Sequence, residues 1–308
     1  MKTIYTPLDN FFFFKVMGEK GDEVQLLGFI NAVLHRTGKN RFSSVEILEN
    51  KTFSGEVKGD KSGTLDVRAV LQDGTRTNTE VQVRNQHNMG RRSLFYWSRE
   101  FARSLEAGQD YSELPNVIGI NILNYNFPPV REVHTCFHLR EDTHRDYILT
   151  EALEIHYINM VQYRKKLKSN LEDPLSLWLA WLNKGKGKKL AEEAAKMDAA
   201  IQAANDRMVY VTGDKKAILE YERYQKALFD HTSAINYASD KGMRKGIKAG
   251  REIGLEEGRQ EGRDEGLREG RDEASLDIAQ KMKTMGFSAE QIRAATGISE
   301  EKLGMRKG

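Results

Sequence analysis

At 308 residues, 39% of them hydrophobic and 30% charged, the chain can hold one full-sized domain plus smaller pieces, and its net charge of +3 excludes a nucleic-acid footprint spread over the whole surface. The single cysteine, Cys136, excludes an internal disulfide framework, and no apolar run approaches the ~20 residues that span a bilayer. With no apolar leader after Met1, these features predict a soluble protein of the reducing cytoplasm.

Residues 7 to 15, Pro-Leu-Asp-Asn-Phe-Phe-Phe-Phe-Lys, form an aromatic cluster expected to anchor the N-terminal region in a core. Asp22 is placed to cap a helix in which Val24, Leu27, Ile30, Asn31 and Leu34 recur at helical spacing. Ser43 to Leu48 reads as a first short strand.

The stretch from Gly63 to Asn85 carries the most information. Leu65, Val67, Ala69, Leu71, Val81 and Val83 are apolar, whereas Asp66, Arg68, Glu80, Gln82 and Arg84 fill the alternate positions. That period of two predicts two strands around Asp73-Gly74, each with one buried and one polar face. Opposed residues of an antiparallel pair share a face, so both apolar sets reach one core only if opposed residue numbers have an even sum. An odd-length loop or a bulge is therefore required. With Asp73-Gly74-Thr75 as the loop, Asp66 faces Gln82 and Arg68 faces Glu80. A regular two-residue turn would separate Asp66 from Glu80.

Met89 to Ala107 reads as an amphipathic helix ended by Gly108, with Leu94, Trp97, Phe101 and Leu105 on one face. Arg92, Tyr96, Arg99 and Arg103 form a second stripe, suited to phosphate oxygens or to plain solvation. Asn116 to Leu123 is a continuous apolar run of the kind buried on both sides in a sheet centre. Val133 to Leu139 and Tyr147 to Ile158 are further strand candidates. The order of elements predicts a mixed sheet covered by helices.

From Asp173-Pro174 the pattern becomes helical, first through Leu175, Leu177, Trp178, Leu179, Trp181 and Leu182. Gly185 and Gly187 mark a break, and further helices are expected over Lys188 to Arg207 and Lys215 to Ser239. Glycines then recur every fourth residue from Gly242 to Gly270, separated mostly by charged side chains. Each costs about 1 kcal/mol of helix propensity against alanine, so the repeat is either a helix supported by a partner along the glycine track or a charged flexible linker. Ala274 to Leu303 reads as three short helices. Ser288 with Gln291 forms a capping box, and the run through Gly297 to Ser299 is similar to a helix-turn-helix, with DNA contact or packing as its uses.

The polar face of the hairpin admits three chemistries. Its acids are either solvated or paired with Arg68 and Arg84, or they are ligands of a hard cation such as Mg²⁺, or a glycosidase pair. The last lacks an aromatic sugar platform. Two carboxylates on neighbouring strands with a backbone carbonyl suit a divalent cation that activates water against a phosphodiester.

The sequence Leu65-Asp66-Val67, a turn and Glu80-Val81-Gln82 resembles the PD-(D/E)XK nuclease motif, with glutamine where lysine is usual. The wider pattern resembles the Rpn family of recombination-promoting nucleases, transposase-like proteins. It adds Phe14-Lys15, Phe29-Ile30-Asn31-Ala32-Val33-Leu34, the Arg92 to Tyr96 helix, Gly108-Gln109-Asp110-Tyr111 and Val117-Ile118-Gly119-Ile120, covering about residues 7 to 160. The resemblance implies an α/β fold, with a restriction-endonuclease-like mixed sheet flanked by helices and an α-helical C-terminal region. It implies a Mg²⁺-dependent (or other divalent cation) DNA endonuclease linked to recombination or phage defence. Asp66 and Glu80 would be catalytic carboxylates and metal ligands, the Val81 carbonyl a third ligand, and Gln82 a residue orienting water or a phosphate oxygen. Lys15, Arg84, Arg92, Tyr96, Arg99 and Arg103 would contact DNA. The slot before Phe-Lys is occupied differently here, with Asp9 upstream. The alternative is a catalytically inactive DNA-binding or regulatory protein with a degenerate nuclease core, and a purely structural assembly protein is a third.

The expected organisation is a nuclease-like domain over 1–165, a helical region over 166–240, the glycine repeat as charged helix or linker over 241–273, and a helix-turn-helix-like tail over 274–308. DNA and further copies of the chain, joined through the helical C-terminal region, are the expected partners, with no membrane.

Overall fold

The computed structural model describes residues 5–48, 65–166, 171, 173–299 and 301–302. Gly63 and Thr64 of the expected hairpin, and Leu303 at the end of the expected tail, lie outside them. The chain divides into two units, Met1–Leu228 and Phe229–Gly308.

The first unit is built on a six-stranded mixed sheet in the order β1-β2-β3-β4-β6-β5. Its strands are β1 (Val45–Ile47), β2 (Val67–Leu71), β3 (Arg76–Gln82), β4 (Val117–Leu123), β5 (His134–Phe137) and β6 (Leu153–Asn159). The hairpin and β1 pair antiparallel, β3-β4-β6 is parallel, and β5 returns antiparallel on β6. The apolar run 117–123 takes the centre, as a strand buried on both faces must.

One face of the sheet carries Val67, Ala69, Leu71, Val81, Ile118, Ile120, Ile122 and Ile158 into a large core. Against it pack α1 (Asn10–Met17) and α2 (Glu23–Val33), with α4 (Met160–Lys166), α5 (Pro174–Leu182), α6 (Lys188–Met197), α7 (Ala199–Gly213) and the start of α8 (Lys215–Thr284) in the same core. The aromatic cluster anchors the chain as expected, with Phe11, Phe12 and Phe13 all buried in α1. Asp9 caps that helix, its Oδ1 accepting from the Phe11 amide at 3.0 Å. A Cβ on Gly28 would lie 2.5 Å from the Ala200 Cβ, so α2 and α7 meet through a residue without a side chain.

The other face is covered by α3 (Met89–Ala102). Towards β4 and β6 the contact is apolar, joining Met89, Leu123, Ile155 and Tyr157 with Trp97, Tyr125 and Phe127. Trp97 Nε1 donates to the Val117 carbonyl at 2.9 Å, and Ser93 Oγ bonds the Tyr157 hydroxyl. Towards β2 and β3 the contact is ionic.

Several expectations need correction. The buried face of α2 is Leu26, Phe29, Ile30 and Val33, while Val24 is 61% exposed. Asp22 stands before α2 without capping it, and accepts instead from the Glu19 amide and from Gln25 Nε2. Helix α3 stops at Ala102 rather than Ala107, where Ser104 Oγ takes the Glu100 carbonyl at 2.6 Å and competes with a further turn. Gly108, at φ +94°, serves a separate turn before the short 3₁₀ segment Tyr111–Glu113. Strand β6 begins at Leu153, and the residues from Tyr147 contribute only the bridge between Ile148 and Arg140.

The helix expected over Lys188 to Arg207 is broken at Asp198. Its side chain leaves the helix to accept from the Ala200 and Ile201 amides at 2.8 and 3.2 Å, starting α7. Helix α5 is capped by Asp173 as expected. The glycine repeat is helical, since α8 continues through it to Thr284. Beyond Thr284, α9 (Ala289–Thr296) has the expected Ser288–Gln291 capping box and ends on Gly297 in the left-handed region. The described part of the tail therefore holds the end of α8 and α9 rather than three short helices. Among the described residues no helix is long and apolar enough to cross a membrane.

Candidate active site

The hairpin closes through an odd loop, as parity requires, but one residue earlier than Asp73-Gly74-Thr75. Leu71 N donates to the Thr75 carbonyl at 2.8 Å, leaving Gln72-Asp73-Gly74 as the loop. A three-residue hairpin loop places its third residue in the left-handed region, and Gly74, at φ +85°, fills that position. Asp73 Oδ1 accepts from the Thr75 amide at 3.0 Å and holds the turn.

This moves the register by one pair. Val67 lies opposite Thr79, Arg68 opposite Asn78 and Ala69 opposite Thr77. Carried one residue further, the register sets Asp66 opposite Glu80, not Gln82. The two carboxylates therefore oppose each other directly. The parallel ladder uses the even residues of β3, with Arg76 N donating to Asn116 O and Asn124 N to Gln82 O. The alternation turns the Val81 carbonyl towards the β2 side, where strand β2 has already given way to Asp66.

The polar face is not solvated. Helix α3 lies over it, and Glu80 is only 2% exposed. Arg92 donates to Glu80 Oε1 through Nη2 at 2.6 Å and Nε at 3.1 Å, and Arg68 Nη2 donates to Glu100 Oε2 at 2.7 Å. The Arg92 guanidinium stands 5.0 Å from the centre of the Tyr96 ring. Burial raises the Asp66 carboxyl above its usual range, with Arg68 lowering it and Glu100 raising it further. Burial raises Glu80 too, against the attraction and hydrogen bond of Arg92, and the Asp66 charge adds to the rise. Burial opposes the charge on Arg92, but Glu80 outweighs it and keeps the guanidinium ionised.

The remaining expected residues fall in different places. Gln82 is buried on the same side as Glu80, and its Nε2 donates to the Arg84 carbonyl at 3.3 Å. The Arg84 side chain is exposed, Arg99 is half-buried and Arg103 is exposed at the end of α3. Lys15 pairs with Glu19 at 2.8 Å and Glu220 at 2.9 Å, which ties α1 to α8.

Three further residues join the site. Glu100 is buried and completes the stripe Arg92-Tyr96-Glu100, whose steps of four were legible in the sequence. Asn121 lies beside Glu80 on β4, and its Nδ2 donates to the His156 carbonyl at 3.1 Å. The Tyr125 hydroxyl is pushed up to about 12 by burial and by the Glu80 charge. Nothing local in the sequence singles out these last two.

No curated protein and no solved structure matches the chain. The family described as PD-(D/E)XK nuclease family transposase matches residues 7–238, from the phenylalanine-rich helix through the whole sheet and into α8. That span exceeds half of the chain and agrees with the resemblance carried by Asp66, Glu80 and their surroundings, so the sheet and its helices are a restriction-endonuclease-like fold and the chain belongs to the PD-(D/E)XK nuclease family transposases.

Proposed function

We propose that the chain is a Mg²⁺-dependent DNA endonuclease acting in the cytoplasm, in recombination or in defence against phage DNA. The observation that carries this reading is the register that sets Asp66 opposite Glu80. The donor set fits a hard divalent cation: two opposed carboxylates, both raised by burial, and a backbone carbonyl at Val81 turned to the same side. Asp66 and Glu80 would hold the ion, with Arg92 donating to Glu80 Oε1 beside it. A cation held there supplies Lewis-acid chemistry, activating water and offsetting the charge that builds on a phosphodiester.

The side chains of this protein do the rest. Arg92, fixed by Glu80 and Tyr96, keeps a positive charge beside the reacting phosphate. Gln82 carries no charge, so its part is to orient the attacking water or a phosphate oxygen by hydrogen bonding. Arg84, Arg99 and Arg103 supply exposed or half-exposed cations for the flanking backbone, whose contribution weakens as salt rises. Copies of the chain associate through the helical C-terminal region, which brings two such sites to one duplex.

Supercoiled plasmid incubated with Mg²⁺ and wild-type protein, Asp66→Ala or Glu80→Ala tests the reading. Each substitution is expected to reduce nicking at least ~100-fold. Equal nicking by all three proteins would remove the assignment. DNA binding that persists in both variants without any cleavage by the wild type would favour the inactive DNA-binding alternative.

A further inference from the structure

The edge of the sheet away from the hairpin gathers a second set of ligand-bearing side chains. Cys136 pairs with His156 and His134 with Ile158 across β5 and β6, so the even-numbered residues of both strands share one face. His134 and Cys136 lie on β5, His138 is the residue just past its end, and Glu154 and His156 lie on β6. Cys136 Sγ lies 3.7 Å from His138 Nδ1 and 3.7 Å from Glu154 Oε1. One ligand atom from each of Cys136, His138 and Glu154 falls within 4.8 Å of the others.

The two distances from the sulfur suit a transition metal. Tetrahedral zinc with sulfur at about 2.3 Å and nitrogen or oxygen at about 2.0–2.1 Å sets its sulfur and lighter ligands about 3.6 Å apart. A thiolate with an imidazole and a carboxylate selects a softer ion than the all-oxygen set at Asp66 and Glu80.

Behind the ligands runs a chain of imidazoles. His35 Nε2 lies 3.2 Å from His134 Nδ1, His134 Nε2 lies 2.8 Å from His156 Nδ1, and His156 Nε2 lies 2.6 Å from Glu154 Oε1. A single assignment of neutral tautomers satisfies all three, each Nε2–H donating forward and the last to the carboxylate. Such a bond aims a ligating carboxylate from behind, as outer-sphere partners of metal ligands do.

We propose that Cys136, His138 and Glu154 form a zinc site, independent of the nuclease carboxylates, with His156 as the positioning residue for Glu154 and the fourth coordination position open to water. Binding replaces the thiol proton with the metal–sulfur bond and releases that proton to solvent.

Because Cys136 is the chain's one cysteine, a thiolate-to-cobalt charge-transfer band can arise only there. Full-length protein stripped with chelator and titrated with Co²⁺ is expected to develop that band at one equivalent and to lose it when Zn²⁺ is added. Asp66→Ala should keep the band. Cys136→Ser should abolish it, and His138→Ala and Glu154→Gln should weaken Co²⁺ affinity at least ~10-fold, with far-ultraviolet circular dichroism matching the wild type. His156→Ala should weaken affinity while leaving the band's position unchanged, since it removes no ligand. Absence of the band in the wild type would overturn the proposal, as would unaltered affinity in both the His138 and Glu154 variants.

Discussion

Glu80 shows how a single residue can be both cost and instrument. A carboxylate 2% exposed survives only because Arg92 places two N–H donors on one of its oxygens. Arg92→Ala should therefore destabilise the fold by about 3–5 kcal/mol, because it leaves a buried charge unpaired. Adding Glu80→Gln to that variant should recover much of the loss, a coupling that urea denaturation of the four proteins would measure. If the double variant is no more stable than Arg92→Ala, the charge is not the origin of the cost.

Asp22 offers a pH dependence of defined sign. Burial, opposed by the charge of Arg207, pushes its carboxyl up to about 7 from the ordinary 3.8. Between those values the folded chain keeps a proton that the unfolded chain has released. Its contribution to stability is thus full below about pH 4 and is lost as pH rises through about 7. Asp22→Asn should flatten this part of the profile, so melting temperatures of wild type and variant should diverge between about pH 4 and about pH 7. Parallel profiles would refute the assignment.

At the scale of elements, what the sequence made legible was periodicity. Alternation at Val67, Ala69 and Leu71 announced β2, and the run Val117 to Leu123 announced the sheet centre. Parity even required an odd loop. The loop's position escaped because it depends on which residue must adopt positive φ, and Gly74 decides that by taking the third position. The inward face of α3 escaped for a different reason. Reading Leu94 as buried assumes an apolar neighbour, but the neighbour is the acidic hairpin, so Ser93 and Glu100 are buried and Leu94 is 49% exposed. The even-numbered set His134, Cys136, His138, Glu154 and His156 likewise became a cluster only once register brought β5 and β6 together.

Packing between helices gives the prediction at this scale. Gly28→Ala should force α2 and α7 apart at a cost of about 1–3 kcal/mol, since the new methyl would overlap Ala200. Ala200→Gly in the same chain should return part of that loss, and chemical denaturation would detect it. Additive effects would mean the two helices do not meet there.

At the scale of the whole molecule, the glycine repeat is the feature without a counterpart in the sheet unit. A Cβ built on any glycine from Gly242 to Gly270 meets nothing within 4 Å among the described residues. Eight missing methyls would be a loss of helix propensity with no return in packing, which is the ground for proposing that the track meets other copies of the chain. Gly254→Leu with Gly258→Leu should then lower the mass seen by sedimentation velocity. An unchanged mass would take the glycine track out of the assembly.

The loop at Gly74 also bears on how the protein reaches its native state. The pairing of Asp66 with Glu80 needs the closure of only a three-residue loop, whereas β4 must cross the whole of α3 to join β3. Loop-closure entropy favours the hairpin first, while its acids still stand in water and repel each other weakly. Their desolvation waits for α3, and α3 is the element that brings Arg92. Covering and neutralisation thus arrive on the same helix, and the chain never has to pass through a state in which the two carboxylates are dry and uncompensated.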